Sequence, residues 1–247
     1  MKKVFLFAAM AAMVLVSCSK NDTKDSDKGK EKEKEEQTSN EITIDGDFSD
    51  WKSLDKSLYE KAENDVDSPW AGVEEIRVYA HEDYVYYYVK YNEETLEELE
   101  PADEKLPVRL NINTDGEFTS GYSSYSLQSY DFIVEAEKIT DGQGGWASLT
   151  AAIMYQRVNG KWEELHKGGN LLVGAGSGCE YEFSLSREVF NAAVAKSSAP
   201  NTRMGDNFQT GMRFYETTSN PNWAELSNMP NSGEGNGYAD LLNIYFK

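Results

Sequence analysis

Histidine and cysteine are scarce in this chain, two of each in 247 residues. A zinc site draws on clusters of these side chains at set spacings, and His81 and His166 stand isolated. A disulfide framework needs cysteines in pairs within the folded part, and only Cys179 lies there, the other being Cys18 near the start. Basic residues are also few: 24 lysines and arginines face 43 aspartates and glutamates, a formal net charge of −19. That field repels nucleic acid and anionic head groups and leaves neutral or cationic ligands. Long apolar runs are missing too. The run 4–16 falls short of the roughly 20 residues that a membrane-spanning helix needs. Enzyme signatures are equally thin. Gly174-Ala175-Gly176-Ser177-Gly178 is followed by a strand pattern, whereas a phosphate loop opens a helix. With Ala175 in place it also misses the G-x-S-x-G elbow, and His81-Glu82 lacks a second histidine at metalloprotease spacing. No catalytic residue is assigned, and the chain reads as a non-enzyme.

What is present begins with an address. Lys2 and Lys3 precede the apolar run, which ends in Leu15-Val16-Ser17-Cys18. A positive start, an apolar middle and small residues at the cut form a secretory signal, here 1–17. The Leu-x-Ser-Cys ending resembles the lipobox of bacterial lipoproteins, whose cysteine becomes the lipidated first residue. That resemblance implies lipid attachment at Cys18 and an outer-membrane lipoprotein of the cell envelope. Two or more acyl chains anchor firmly where one holds marginally. The mature start, Cys18-Ser19-Lys20-Asn21-Asp22, partly resembles the surface-export signal of some Bacteroidetes-like lipoproteins, so both the periplasmic and the surface face stay open. Residues 18–41, with the charged run 28–36 and no aromatic side chain, read as a disordered tether.

The remaining segment, 42–247, is long enough to bury roughly 70% of its unfolded surface as one domain. Period-two alternation predicts strands at 42–44, 73–80, 84–92, 107–114, 130–137, 147–158, 161–166, 179–185, 207–217 and 240–246. A hairpin turns through His81-Glu82-Asp83, and 84–91 is apolar or aromatic on both faces, as in a strand covered on both sides. Ser186 caps a short helix over 187–193. A helical turn is expected within 93–105. Long strands with one or two short helices predict an all-β fold, a single antiparallel, jelly-roll-like β-sandwich. Alternation puts Cys179 on one face with Tyr181, Phe183 and Leu185, which makes it a buried structural thiol.

In Ile42-Thr43-Ile44-Asp45-Gly46-Asp47-Phe48-Ser49-Asp50-Trp51 a strand starts, turns at Asp45-Gly46, and ends in an indole that plugs the sandwich end. Asp45 and Asp50 cap the freed amides. This string resembles the Ile-Asp-Gly-x-x-x-Asp-Trp opening of domains similar to the family 9 carbohydrate-binding module, within the DOMON-like β-sandwich group. The segments 76–86, 110–116 with Gly121-Tyr122 and Asp131-Phe132, and 181–186 are similar to later pieces of that group, in order. The resemblance implies a β-sandwich and a carbohydrate ligand. It makes Trp51 structural and assigns no other aromatic.

Ligand contacts therefore rest on chemistry. Sugars stack their C–H faces on aromatic rings and turn hydroxyls to amides and carboxylates. Trp146 follows the Gly-rich stretch 141–145, Trp223 sits in Asn220-Pro221-Asn222, Trp162 follows the Asn159-Gly160 turn, and Tyr122 and Tyr125 lie in a Ser/Gly/Tyr stretch. These five are the expected contacts to a neutral glycan. The segment 111–116 imitates half of an EF-hand, but Tyr122 stands where the twelfth ligand belongs. No cofactor is implied beyond a structural calcium held by loop carboxylates, Asp115 among them. The competing expectation is a structural or interaction subunit of a cell-envelope complex, and a glycan-degrading enzyme ranks third.

Overall fold

The computed structural model describes residues 40–64, 72–94, 105–117, 120–122, 129–140, 146–149, 152–197, 200–215, 225–230 and 241–247. The predicted signal, Cys18, most of the tether, Tyr125, Trp223 and most of 93–105 lie outside them.

Two antiparallel sheets carry the fold, as expected for a sandwich. The smaller runs β1 (Glu60–Glu63), β2 (Val73–His81), β3 (Tyr84–Tyr91), β10 (Glu180–Ser186) and β9 (Leu172–Ser177), in that spatial order. The larger runs β12 (Glu225–Met229), β11 (Asn207–Tyr215), β4 (Lys105–Asn113), β5 (Phe132–Thr140), β7 (Ala152–Val158) and β8 (Lys161–Gly168). β13 (Leu242–Tyr245) also pairs with β11, and β6 (Trp146–Leu149) also pairs with β5. Two short helices, α1 (Ser49–Ser53) and α2 (Arg187–Val194), complete the described elements.

Alternation decides what each sheet buries. Val85, Tyr87, Val89 and Tyr91 of β3 face Leu110 and Ile112 of β4, Phe132 and Val134 of β5, and Met212 and Phe214 of β11 in one core. Tyr87 stacks on Phe183 with ring centroids 4.9 Å apart, and its hydroxyl meets Thr210 Oγ1 at 3.2 Å, which ties the two sheets together. Burying an aromatic or aliphatic side chain of this kind contributes about 1.5–3 kcal/mol. Cys179 packs partly buried against this core, and burial pushes its thiol up. Hairpin turns set the register. Asn159 and Gly160, at φ 49° and 78°, make the two-residue turn that joins β7 to β8. The Ser186 hydroxyl accepts from the Val189 amide and starts α2, whose Phe190, Ala193 and Val194 are buried.

The structure corrects several expectations. Residues 42–44 form no strand; Ile42 and Ile44 pack beside Phe48, Trp51 and Tyr88 on the outer face of the small sheet. Trp51 lies in that layer, not at the sandwich end, because its indole donates to the buried Glu182 of β10. Asp50 does cap the turn, accepting from the Thr43 and Trp51 amides at 2.7 and 2.8 Å. The stretch 147–158 divides into β6 and β7, both paired with β5. β1, β9, β12 and α1 were not expected, and the glycine-rich 174–178 is largely strand β9.

Candidate ligand-binding face

Side chains opposite one another in an antiparallel ladder share a face. With Leu110, Phe132, Met154 and Met212 turned to the core, Asn111, Ile133, Tyr155 and Arg213 belong to the outer face of the large sheet. The Asn-Gly turn makes Arg157 the direct partner of Trp162 on that face.

An aromatic wall stands there. Tyr122 and Trp162 meet edge to face at 5.7 Å, Tyr122 meets Tyr130 at 5.6 Å, and Tyr130 stacks on Trp162 at 6.2 Å. The Arg157 guanidinium lies 5.1 Å from the Tyr122 ring centroid and 5.3 Å from that of Trp162, within cation–π range. Tyr130 is buried with Ile133 and Leu241, while Tyr122, Tyr155 and Trp162 are half-buried around them. The wall depends on a backbone close approach. Tyr122 and Tyr130 exchange hydrogen bonds of 2.8 and 3.1 Å, and Gly121, at φ 72°, precedes them where a Cβ would fall 2.4 Å from the Tyr130 carbonyl oxygen.

Polar groups floor the same face. Arg109 Nε donates to Glu135 at 2.7 Å. Asn113 Nδ2 donates to Gln209 Oε1 at 3.1 Å, and Gln209 Nε2 to Asn243 Oδ1 at 2.8 Å, an amide chain that crosses β4, β11 and β13. Beside it, Asp131 is buried, and burial first, then the charge of Asp115, pushes its carboxyl up to about 6 against the backbone amides of Thr114 and Asp115. Asp115 Oδ1 accepts from the Glu117 amide at 2.8 Å, and its Oδ2 from the Ser120 hydroxyl at 3.0 Å. Among the described residues no group of three or more His, Cys, Asp or Glu side chains is arranged to hold a metal ion.

Of the expected contacts, Tyr122 and Trp162 come together. Trp162 stands on β8 just past the Asn159-Gly160 turn, within the strand expected over 161–166. Trp146 opens β6 opposite Thr140. Tyr125 and Trp223 lie outside the described residues. Reading the sequence missed Tyr130, Arg157, Gln209 and Asn243. The Asn159-Gly160 turn carried a usable signal for Arg157, since a two-residue hairpin loop pairs 157 with 162.

Aromatic faces and a planar cation can stack an uncharged ring, and the fixed amides farther along the same sheet surface can hydrogen-bond hydroxyls. No family model matches the chain, and no curated protein is similar to it. A solved structure, a carbohydrate binding module family 9 from Caldicellulosiruptor kristjanssonii in complex with glucose, is similar over 84% of this chain and 92% of its own, with 13% identity and a TM-score of 0.39. A likeness that loose transfers neither a residue's role nor a ligand.

Proposed function

We propose that this chain is a non-catalytic, lipid-anchored envelope protein that holds a neutral glycan on the outer face of its large sheet. One observation carries the reading: half-buried Tyr122 and Trp162 share the Arg157 guanidinium on a face floored with amides. Rings accept the C–H faces of a sugar, and side-chain amides exchange hydrogen bonds with its hydroxyls. The net charge of −19 disfavours an anionic ligand. Anchoring rests on the run Leu15-Val16-Ser17-Cys18 behind its lysines. The protein carrying Cys18→Ser stays free of lipid and serves for titration. Tryptophan fluorescence and calorimetry with neutral oligosaccharides of glucose, xylose, mannose and galactose units should show saturable binding, weakened at least tenfold by Trp162→Ala. A flat response to the whole panel refutes the reading. Labelled fatty acid should enter the unsubstituted protein in cells and not the Cys18→Ser protein.

A second reading, an interaction subunit of an envelope complex, is favoured by the outer face of the small sheet. Tyr84 and Val173 are 43% and 50% exposed there, and Tyr84 lies 6.0 Å from Tyr86. Under it, no glycan alters tryptophan fluorescence, and Tyr84→Ser reduces recovery of an envelope partner.

A further inference from the structure

Away from the aromatic wall, the same sheet face holds a cleft of about 170 Å³ near its β13 edge. Asp115, Gly116, Asn207, Gln209, Asn243 and Tyr245 line it. The ladder places these groups: Asn207 pairs with Tyr245 and Gln209 with Asn243, so all four side chains stand on one face. Phe208 and Ile244, between them in sequence, are buried and fix the strands from below. The cleft is distinct from the wall. Its residues lie on β13, β11 and the turn that follows β4, whereas Arg157 and Trp162 lie on β7 and β8. Asn113 stands between them, buried, its Oδ1 accepting from the Asp115 and Gly116 amides at 3.2 and 2.9 Å.

The polar inventory points to a ligand that both donates and accepts. Gln209 has both ends engaged, its Oε1 by Asn113 and its Nε2 by Asn243 Oδ1. That bond turns the Asn243 amide nitrogen, with its two hydrogens, away from Gln209. Tyr245 is 58% exposed on one wall of the cleft. A single exposed aromatic needs no explanation; one standing over a concave site beside fixed amides is a stacking platform. The Asp115 carboxylate at the rim disfavours an anion. The volume lies below the roughly 300–1,000 Å³ of sites for drug-sized ligands, which suits one small ring.

We propose that this cleft is a second saccharide subsite, in which one neutral sugar ring lies on Tyr245 while adjacent hydroxyls meet the Asn243 and Asn207 amides. The proposal rests on the glycan reading of this face and extends it. Five strand spacings separate β13 from β8, about 24 Å, so a disaccharide reaches one subsite and a long chain engages both. Linking two weak contacts in this way raises affinity without new contacts.

The test is a ¹H–¹⁵N titration of the Cys18→Ser protein with cellotetraose, xylotetraose, laminaritetraose and mannotetraose, following side-chain amide and indole signals. The Asn207 and Asn243 amide signals should shift with at least one probe. Tyr245→Ala should weaken those shifts about tenfold and Tyr245→Phe should retain them, as loss of a stacking surface predicts. Trp162→Ala should abolish shifts at the wall and leave those at the cleft. Tyr245 is exposed, so its variants keep the fold, which an unchanged urea midpoint checks. If the Trp162 indole signal responds while the Asn207 and Asn243 amides do not, or if Tyr245→Ala changes nothing, the second subsite is overturned and the wall stands. If no probe moves either set, both readings fall together.

Discussion

Glu182 offers the sharpest test of how the N-terminal segment is held. Its carboxylate is fully buried on the outer face of the small sheet. Oε1 accepts from the Asp45 and Gly46 amides at 2.9 and 2.8 Å, and Oε2 from the Trp51 indole at 3.0 Å. Burial pushes its pKa up, and the three donors work against that rise. Removing the acceptor strands all three donors. A hydrogen bond to a charged group contributes about 1.5–3 kcal/mol, and a buried donor left alone costs about 1–3 kcal/mol. Two of the donors are backbone groups in a partly buried turn and regain some water, so Glu182→Ala should cost about 4 kcal/mol. For a domain of this size that lowers Tm by about 8–16 °C. Glu182→Gln is the more telling variant. Its oxygen still serves the two amides, but its Nε2 faces the indole N–H, donor against donor, at a cost of about 2 kcal/mol. Trp51→Phe removes that conflict along with the bond, so in a double-mutant cycle the Gln and Phe changes should cost less together than their sum. Urea unfolding of the four proteins of the cycle and of Glu182→Ala measures both. A loss under about 1 kcal/mol for Glu182→Ala, or strict additivity in the cycle, refutes the account.

Three further outcomes follow from other sites. Gly121→Ala puts a Cβ 2.4 Å from the Tyr130 carbonyl oxygen at φ 72°, so it should cost at least about 2 kcal/mol and weaken the glycan binding proposed at Tyr122; an unchanged melt and isotherm would contradict the close approach. Ser186→Ala removes the cap on the Val189 amide and should lower stability by about 1 kcal/mol in urea unfolding, with an unmoved midpoint as the contrary result. Asp131 binds its proton more tightly folded, at about 6, than unfolded, near 3.9. Its contribution is therefore fullest below pH ~4 and is lost as pH rises through ~6, by up to about 3 kcal/mol. Asp131→Asn should remove that slope from the pH–stability curve, and a slope that persists unaltered assigns it elsewhere.

Strands with strong alternation and a local turn were legible. The β2–β3 and β7–β8 hairpins carry both signals within a few residues, and α2 announces itself through Ser186. β9 was not legible, because Gly174 and Gly176 look like loop and the strand exists through its ladder with β10, where Leu172 lies opposite Leu185. Ile42 and Ile44 misled in the other direction. Their alternation reports burial against the Phe48, Trp51 and Tyr88 layer, and alternation by itself does not distinguish packing from ladder pairing. At the site, Tyr122 and Trp162 stood out as aromatics near turn residues. Tyr130 did not, since only the Tyr122 bridge across Gly121 brings it into the wall. Asn243 and Gln209 were ordinary polar positions until the β11–β13 register placed them side by side.

The division of labour between the two outer faces follows from the same contacts. The small sheet's outer face is roofed by Ile42, Phe48, Trp51 and Leu54 and fastened through Glu182. An apolar roof fixed by a buried carboxylate leaves that area no freedom to receive a sugar. The large sheet has no such roof among the described residues over Tyr122 and Trp162, which stay half-exposed. Asn40, whose carbonyl accepts from the Tyr79 hydroxyl at 3.1 Å, sits on the roofed side. Asn40 therefore lies on the face opposite the aromatic wall.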